Sequence, residues 1–174
     1  LFSASSLGHY TRAHQFSEFP SSNITGIIKR VTYPVLCSIQ NDDERLSNIY
    51  RRFLKLSAFV IFPMMTGLSA VSKPLIFMTI GSQWEICAIL LPIICFSMMW
   101  YPIHSINLNL LQVKGRSDLF LRLEIIKKLL GVLVICITAP WGLVVMCYGS
   151  IVSSLIALGI NTYYTGKLIH IGFF

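Results

Sequence analysis

Two adjacent cations, Lys29 and Arg30, sit inside the apolar run ITGIIKRVTYPVLCSI at residues 24–39, with Pro34 one turn further on. Of all the side chains in the sequence they are the best suited to hold a ligand. A guanidinium grips a phosphate through two parallel hydrogen bonds and an ammonium meets it as a point charge, so the pair suits a diphosphate. Inside a bilayer an ionisable side chain costs about 2.5–3.5 kcal/mol on insertion scales and usually faces a cavity or a partner. The pair is therefore expected to line a polar cavity that accepts an anion. A second reading stays open here, in which both long side chains snorkel or the helix sits lower in the membrane.

Covalent chemistry finds little support. Six of the seven acids, Glu18, Asp42, Asp43, Glu44, Glu85 and Asp118, fall in connections or at the ends of apolar runs. The histidines His9, His14, His104 and His170 are far apart in sequence, and the spacing of Cys37, Cys87, Cys95, Cys136 and Cys147 matches no metal site. The cysteines read as small buried hydrophobes. Neither a nucleophile with its base nor a phosphate-binding glycine loop is visible, so the expectation is no enzyme, no metal and no cofactor. Polar residues within apolar runs remain. Ser105, Asn109 and Gln112 share one helical face, with His104 and Asn107 on the next. They suit sugar hydroxyls or a water path, or else bond between helices, and His104 can carry a proton.

The elements that must hold these residues are membrane spans. Of the 174 residues, 55% are hydrophobic and 12% charged, against about 25% charged in an average soluble domain. The fold class expected is all-α, a polytopic bundle of about five transmembrane helices at residues 22–40, 53–71, 86–111, 118–139 and 143–164, each near the ~20 residues a bilayer needs. The fourth needs an argument: its apolar run, 129–139, is too short to cross about 30 Å, so the helix must begin near Asp118 and include Arg122, Glu124, Lys127 and Lys128. Glu124 then pairs with Lys127 or Lys128. Residues 1–19 read as the end of a preceding helix followed by an outer surface segment, with Pro20 opening the next helix. The chain starts at Leu1, which suggests a piece of a longer protein.

The net charge of +7 does not point to nucleic acid, because the cations lie in the joints between spans. Arg45, Arg51, Arg52 and Lys55 follow the first span, Lys114, Arg116, Arg122, Lys127 and Lys128 the third, and Lys167 the fifth; the other connections hold Lys73 alone. That alternation puts the start of the first span outside and its end in the cytoplasm, with Trp84 and Trp141 at the outer interface. Pro34, Pro63, Pro92 and Pro102 fall within apolar runs, where neighbouring helices can accommodate them.

The runs LGHYTRAHQF, FP, VTYPVLCSIQNDDERLSNIYRRFLKLSAFVIFPMM, KPLIFMTIGSQWE and NLNLLQVKGRSDLFLRLEIIKK, in that order, resemble polysaccharide-export flippases of the multidrug/oligosaccharidyl-lipid/polysaccharide transporter superfamily, in the lipopolysaccharide or capsule branch. The resemblance implies a two-lobed transporter of about 12–14 helices in pseudo-symmetric halves. It further implies a bacterial cytoplasmic membrane, a polyprenyl-diphosphate-linked oligosaccharide as substrate, and movement of that substrate by alternating access. This chain then corresponds to the first part of the second half, and without its missing half it should not transport. The family's cationic cavity implies a role there for Lys29 and Arg30, with Arg12 at the outer mouth. His104, Asn107 and Asn109 are secondary polar candidates. A cation-coupled multidrug exporter, a membrane polymerase or ligase, and an inert remnant of a broken gene are the alternatives.

Overall fold

The computed structural model describes residues 4–168 as an all-helical bundle. Its main elements are α1 (Ala4–Ser38), α2 (Asp43–Ala70), α3 (Ser72–Thr79), α4 (Glu85–Met98), α5 (Tyr101–Val113), α6 (Ser117–Thr138) and α7 (Leu143–Leu168). Three stretches are long and apolar enough to cross a membrane: Asp43–Ala70, Ser82–Val113 and Leu143–Gly166. The other two expected spans are helical as well. α1 packs against α4 and α5, and α6 against α7. The fourth helix begins at Ser117, next to the start at Asp118 that its short apolar run required.

The expected division at Pro20 is corrected. α1 is one helix of 35 residues with Pro20 and Pro34 inside it, so residues 4–19 form neither a separate helix end nor an irregular surface segment. Local bonds support the helix around Pro20: Asn23 Nδ2 donates to the Phe19 carbonyl at 2.6 Å, and Ser17 Oγ to that of His14 at 2.9 Å. Ala13, Ser17, Ser21 and Thr25 are buried, and their four-residue spacing makes a stripe of small side chains on which the neighbouring helices pack closely.

The expected third span is kinked. α4 ends at Met98 and α5 starts at Tyr101, although Met99 (φ −64, ψ −22) and Trp100 (φ −84, ψ −11) keep helical backbone angles. Pro102 has no N–H to give the carbonyl four residues back, which is that of Met98. Ser21 Oγ of α1 donates to that carbonyl instead, at 3.0 Å. Further toward the N-termini of both helices, His9 of α1 packs edge-on to Trp84, ring centroids 4.9 Å apart. α1 and the α4–α5 pair therefore run in the same direction, side by side.

The core has two parts. One centres on Ile61, Met65, Leu90, Leu91 and Ile94, the other on Leu36, Leu46, Tyr50, Ile106, Leu110 and Val113. At one end of the bundle Asp42 caps α2, its Oδ1 accepting the Arg45 N–H at 2.9 Å. Lys114 ties the α5–α6 turn to the α1–α2 turn there, donating to the Gln40 carbonyl at 2.8 Å and pairing with Asp43. The two connections read as cytoplasmic thus meet at one end; the side chain of Lys167, counted with them, lies outside the described set. α6 and α7 approach closely at Gly149, where an added Cβ would stand 2.8 Å from Val134 Cγ1 and 2.9 Å from Thr138 Cγ2. Phe59, Leu129, Val132, Ile137, Trp141 and Val152 are exposed, an apolar surface that suits hydrocarbon better than water. Of the cysteines, Cys87, Cys95 and Cys147 are buried as expected and Cys37 partly so, whereas Cys136 is exposed on the apolar outer face of α6.

Candidate functional site

Helix periodicity separates the two central cations. Thr25, Thr32 and Leu36 are buried on α1, and Lys29 falls on the same stripe, four residues after Thr25 and three before Thr32. Arg30 lies about 100° further round the helix. Both cations are exposed, but Lys29 reaches the wall of an open cavity of about 380 Å³ between α1, α5, α6 and α7, whereas Arg30 does not line it.

α5 supplies His104, Ser105, Asn109 and Gln112 to the same cavity. His104 Nδ1 lies 3.1 Å from Asn161 Nδ2 of α7, which fixes the ring between the two helices. Asn109 is 1% exposed, and its Nδ2 has no hydrogen-bond partner among the described residues. Asn107, two positions earlier, faces elsewhere: its Oδ1 accepts the Tyr50 hydroxyl of α2 in the inner core. It is a packing residue between α2 and α5, outside the cavity. Arg12 stands apart too, in a separate hollow of about 280 Å³ with Gln15, Phe16 and Phe19, its Nη1 donating to Gln15 Oε1 at 3.1 Å. Seventeen helical residues put it about 25 Å along α1 from Lys29.

α6 and α7 complete the wall with Glu124, Lys127, Ser153 and Ser154. Lys127 Nζ pairs with Glu124 one turn before it, the two side chains 15% and 30% exposed. Ser154 Oγ lies 2.9 Å from Ser97 Oγ of α4. The cavity thus combines two ammonium groups, one carboxylate, an imidazole and a row of amide and hydroxyl groups. Such a set can hold a phosphate and hydroxyl-rich groups in one place. Sequence reasoning paired Glu124 with lysine but missed that the pair faces the same space as Lys29. Ser153 and Ser154, adjacent hydroxyls in an uncharged span, were a further available signal.

A family model described as polysaccharide biosynthesis protein matches residues 1–89, about half of the chain. The chain belongs to this family. It is 28% identical over 159 residues to an uncharacterized membrane protein in the cps region of Klebsiella pneumoniae, covering 89% of this chain and 31% of that protein. The lipopolysaccharide biosynthesis protein WzxC of Escherichia coli K12 is 25% identical over 130 residues, 75% of this chain and 26% of WzxC. The succinoglycan biosynthesis transport protein ExoT of Rhizobium meliloti 1021 is 29% identical over 80 residues, 46% of this chain and 16% of ExoT. The chain spans a third or less of the length of these relatives. No solved structure matches it. Family membership and the three apolar stretches together make it a multi-pass membrane protein.

Proposed function

We propose that the chain is part of a flippase that moves a polyprenyl-diphosphate-linked oligosaccharide across the bacterial cytoplasmic membrane by alternating access, with no covalent step. The observation that carries the reading is the cavity between α1, α5, α6 and α7, where Lys29 and Lys127 share a wall with Asn109, Gln112, Ser153 and Ser154. In this reading the cations take the diphosphate, and the amide and hydroxyl groups take the first sugars. The names of the relatives support the direction, since one is a lipopolysaccharide biosynthesis protein and another a succinoglycan biosynthesis transport protein. The rest of the transporter, including its other half, is the partner the reading requires. A cation-coupled exporter would use the Glu124 carboxylate in the same cavity, but Lys127 already neutralises that group.

The test is export in a flippase-deficient strain complemented with the transporter that carries this segment, with surface polysaccharide normalised to membrane protein. A charge-assisted contact is worth about 1.5–3 kcal/mol, and about 1.4 kcal/mol is one decade. Lys29→Gln is therefore expected to lower export about ten-fold or more, and Lys29→Arg less. Arg30→Gln, outside the cavity wall, should stay within about two-fold, a difference of only ~0.4 kcal/mol. Full export from the Lys29→Gln/Arg30→Gln double variant would end the anionic-cavity reading.

A further inference from the structure

The Glu124–Lys127 pair is more than a way of keeping two charges in an apolar helix. Both side chains line the cavity that Lys29 also lines, so the carboxylate occupies an ammonium that an incoming anion would otherwise meet. Among the described residues Lys29 makes no ion pair. The lining also includes Asn109, whose Nδ2 is buried without an acceptor among the described residues. The cavity thus offers one uncompensated cation, one unmatched donor and one cation held by an internal anion. An ammonium has three donors and the carboxylate uses one of them, so a ligand with several anionic oxygens competes well for Lys127.

We propose that Glu124 is a built-in counter-ion that yields Lys127 to the diphosphate of the ligand and takes it back on release. This rests on the anionic-cavity reading above. The exchange fits a transporter, which must bind its cargo and also let it go. With ligand absent, Glu124 spares the site two uncompensated ammonium groups in a partly desolvated space. With ligand bound, the diphosphate bridges Lys29 and Lys127, and Asn109 Nδ2 provides a donor for either the ligand or the displaced carboxylate. Glu124 thereby sets affinity low enough for release, and a neutral side chain in its place should make binding tighter and dissociation slower.

The registry of the helices agrees with a bridging ligand. The contacts Ser97–Ser154 and His104–Asn161 both join residues 57 apart, so α4–α5 and α7 run parallel without slippage through this region. Gly149 of α7 meets Val134 and Thr138 of α6, which sets the antiparallel register of that pair. Followed along the axes at about 1.5 Å per residue, these registers put the backbones of Lys29 and Lys127 within roughly 10 Å of each other in height. Two long side chains can converge across that interval on one diphosphate.

The test uses the whole chain in lipid nanodiscs, with farnesyl diphosphate and inorganic pyrophosphate as probes and farnesol as the uncharged control. Farnesyl diphosphate should bind the wild-type chain and farnesol should not compete. Glu124→Gln should bind it about ten-fold more tightly with a correspondingly slower off-rate, and adding Lys127→Gln should remove that gain. A second readout separates exchange from a fixed pair. The carboxylate region of the infrared difference spectrum on binding should show a band that is absent in Glu124→Gln. If inorganic pyrophosphate matches farnesyl diphosphate in affinity and gives the same band, the exchange stands and its anion is a soluble diphosphate. Unchanged affinity in Glu124→Gln, or a carboxylate band that does not move, overturns the counter-ion role while leaving the cavity reading intact. No diphosphate binding to the wild-type chain overturns both.

Discussion

Pro102 and Ser21 make a prediction that can be worked through from single atoms. The Met98 carbonyl lacks its helical donor because residue 102 is proline, and Ser21 Oγ reaches it at 3.0 Å from another helix. Replacing Ser21 with alanine removes a hydrogen bond between helices, worth on average about 0.6 and at most about 1.7 kcal/mol in membrane interiors. It also leaves a buried acceptor without a partner, and such groups cost about 1–3 kcal/mol. The expected destabilisation is therefore about 1–2 kcal/mol on the native background. Pro102→Ala changes the outcome. Met99 and Trp100 already have helical angles, so an alanine at 102 places its N–H where the Met98 carbonyl can accept it. On that background Ser21→Ala should cost only about 0–0.3 kcal/mol, a coupling of about 1 kcal/mol between the sites. The assay is reversible unfolding in mixed micelles titrated with sodium dodecyl sulfate, followed by circular dichroism and tryptophan fluorescence. An equal cost of Ser21→Ala on both backgrounds would refute the claim that the serine replaces the missing donor.

Two further predictions concern packing and topology. Gly149→Ala should destabilise the chain by about 1–3 kcal/mol, because the new methyl meets the stiff β-branched side chains of Val134 and Thr138 within 3 Å. Gly149→Ala with Val134→Ala should recover part of that loss in the same unfolding assay, and no recovery would place the strain elsewhere. In a background without native cysteines, Ser47→Cys and Ser117→Cys should react with an impermeant thiol reagent only from the cytoplasmic side, and Ser82→Cys only from outside. Reversed labelling would invert the orientation drawn from the cation alternation and move the cavity mouth to the other side.

Much of the bundle is legible in the sequence because apolar length is a strong constraint. The shortness of run 129–139 forced a charged beginning onto the fourth helix, and that argument put its start within a residue of Ser117. α1 was harder to read. Ser17, Ser21 and Thr25 look like surface residues to a hydropathy scan, yet they are buried, since small polar side chains let helices approach and can bond locally. Their spacing of four, continued back to Ala13, was the available sign that no break occurs at Pro20. Kinks were legible only as prolines: which neighbour would take up the freed carbonyl depends on a contact 77 positions away.

The site was half legible, and the reason lies in what an ion pair does to expectation. Periodicity from Thr25 through Leu36 was enough to separate Lys29 from Arg30, and two residues of helix were enough to send Asn107 and Asn109 to different neighbours. Neither separation can be assigned to a cavity until the partner helices are in place. Glu124 and Lys127 were legible as a pair, and pairing made them look like a solution to a burial problem. In a cavity the same neutrality has another meaning. A fixed cation binds an anion and keeps it, while a cation with its own carboxylate one turn away binds only as strongly as the exchange allows. A transport site needs that moderation, because affinity beyond what release can undo slows every cycle. On the counter-ion proposal, the Glu124–Lys127 pair of α6 serves the cavity it lines rather than the lipid.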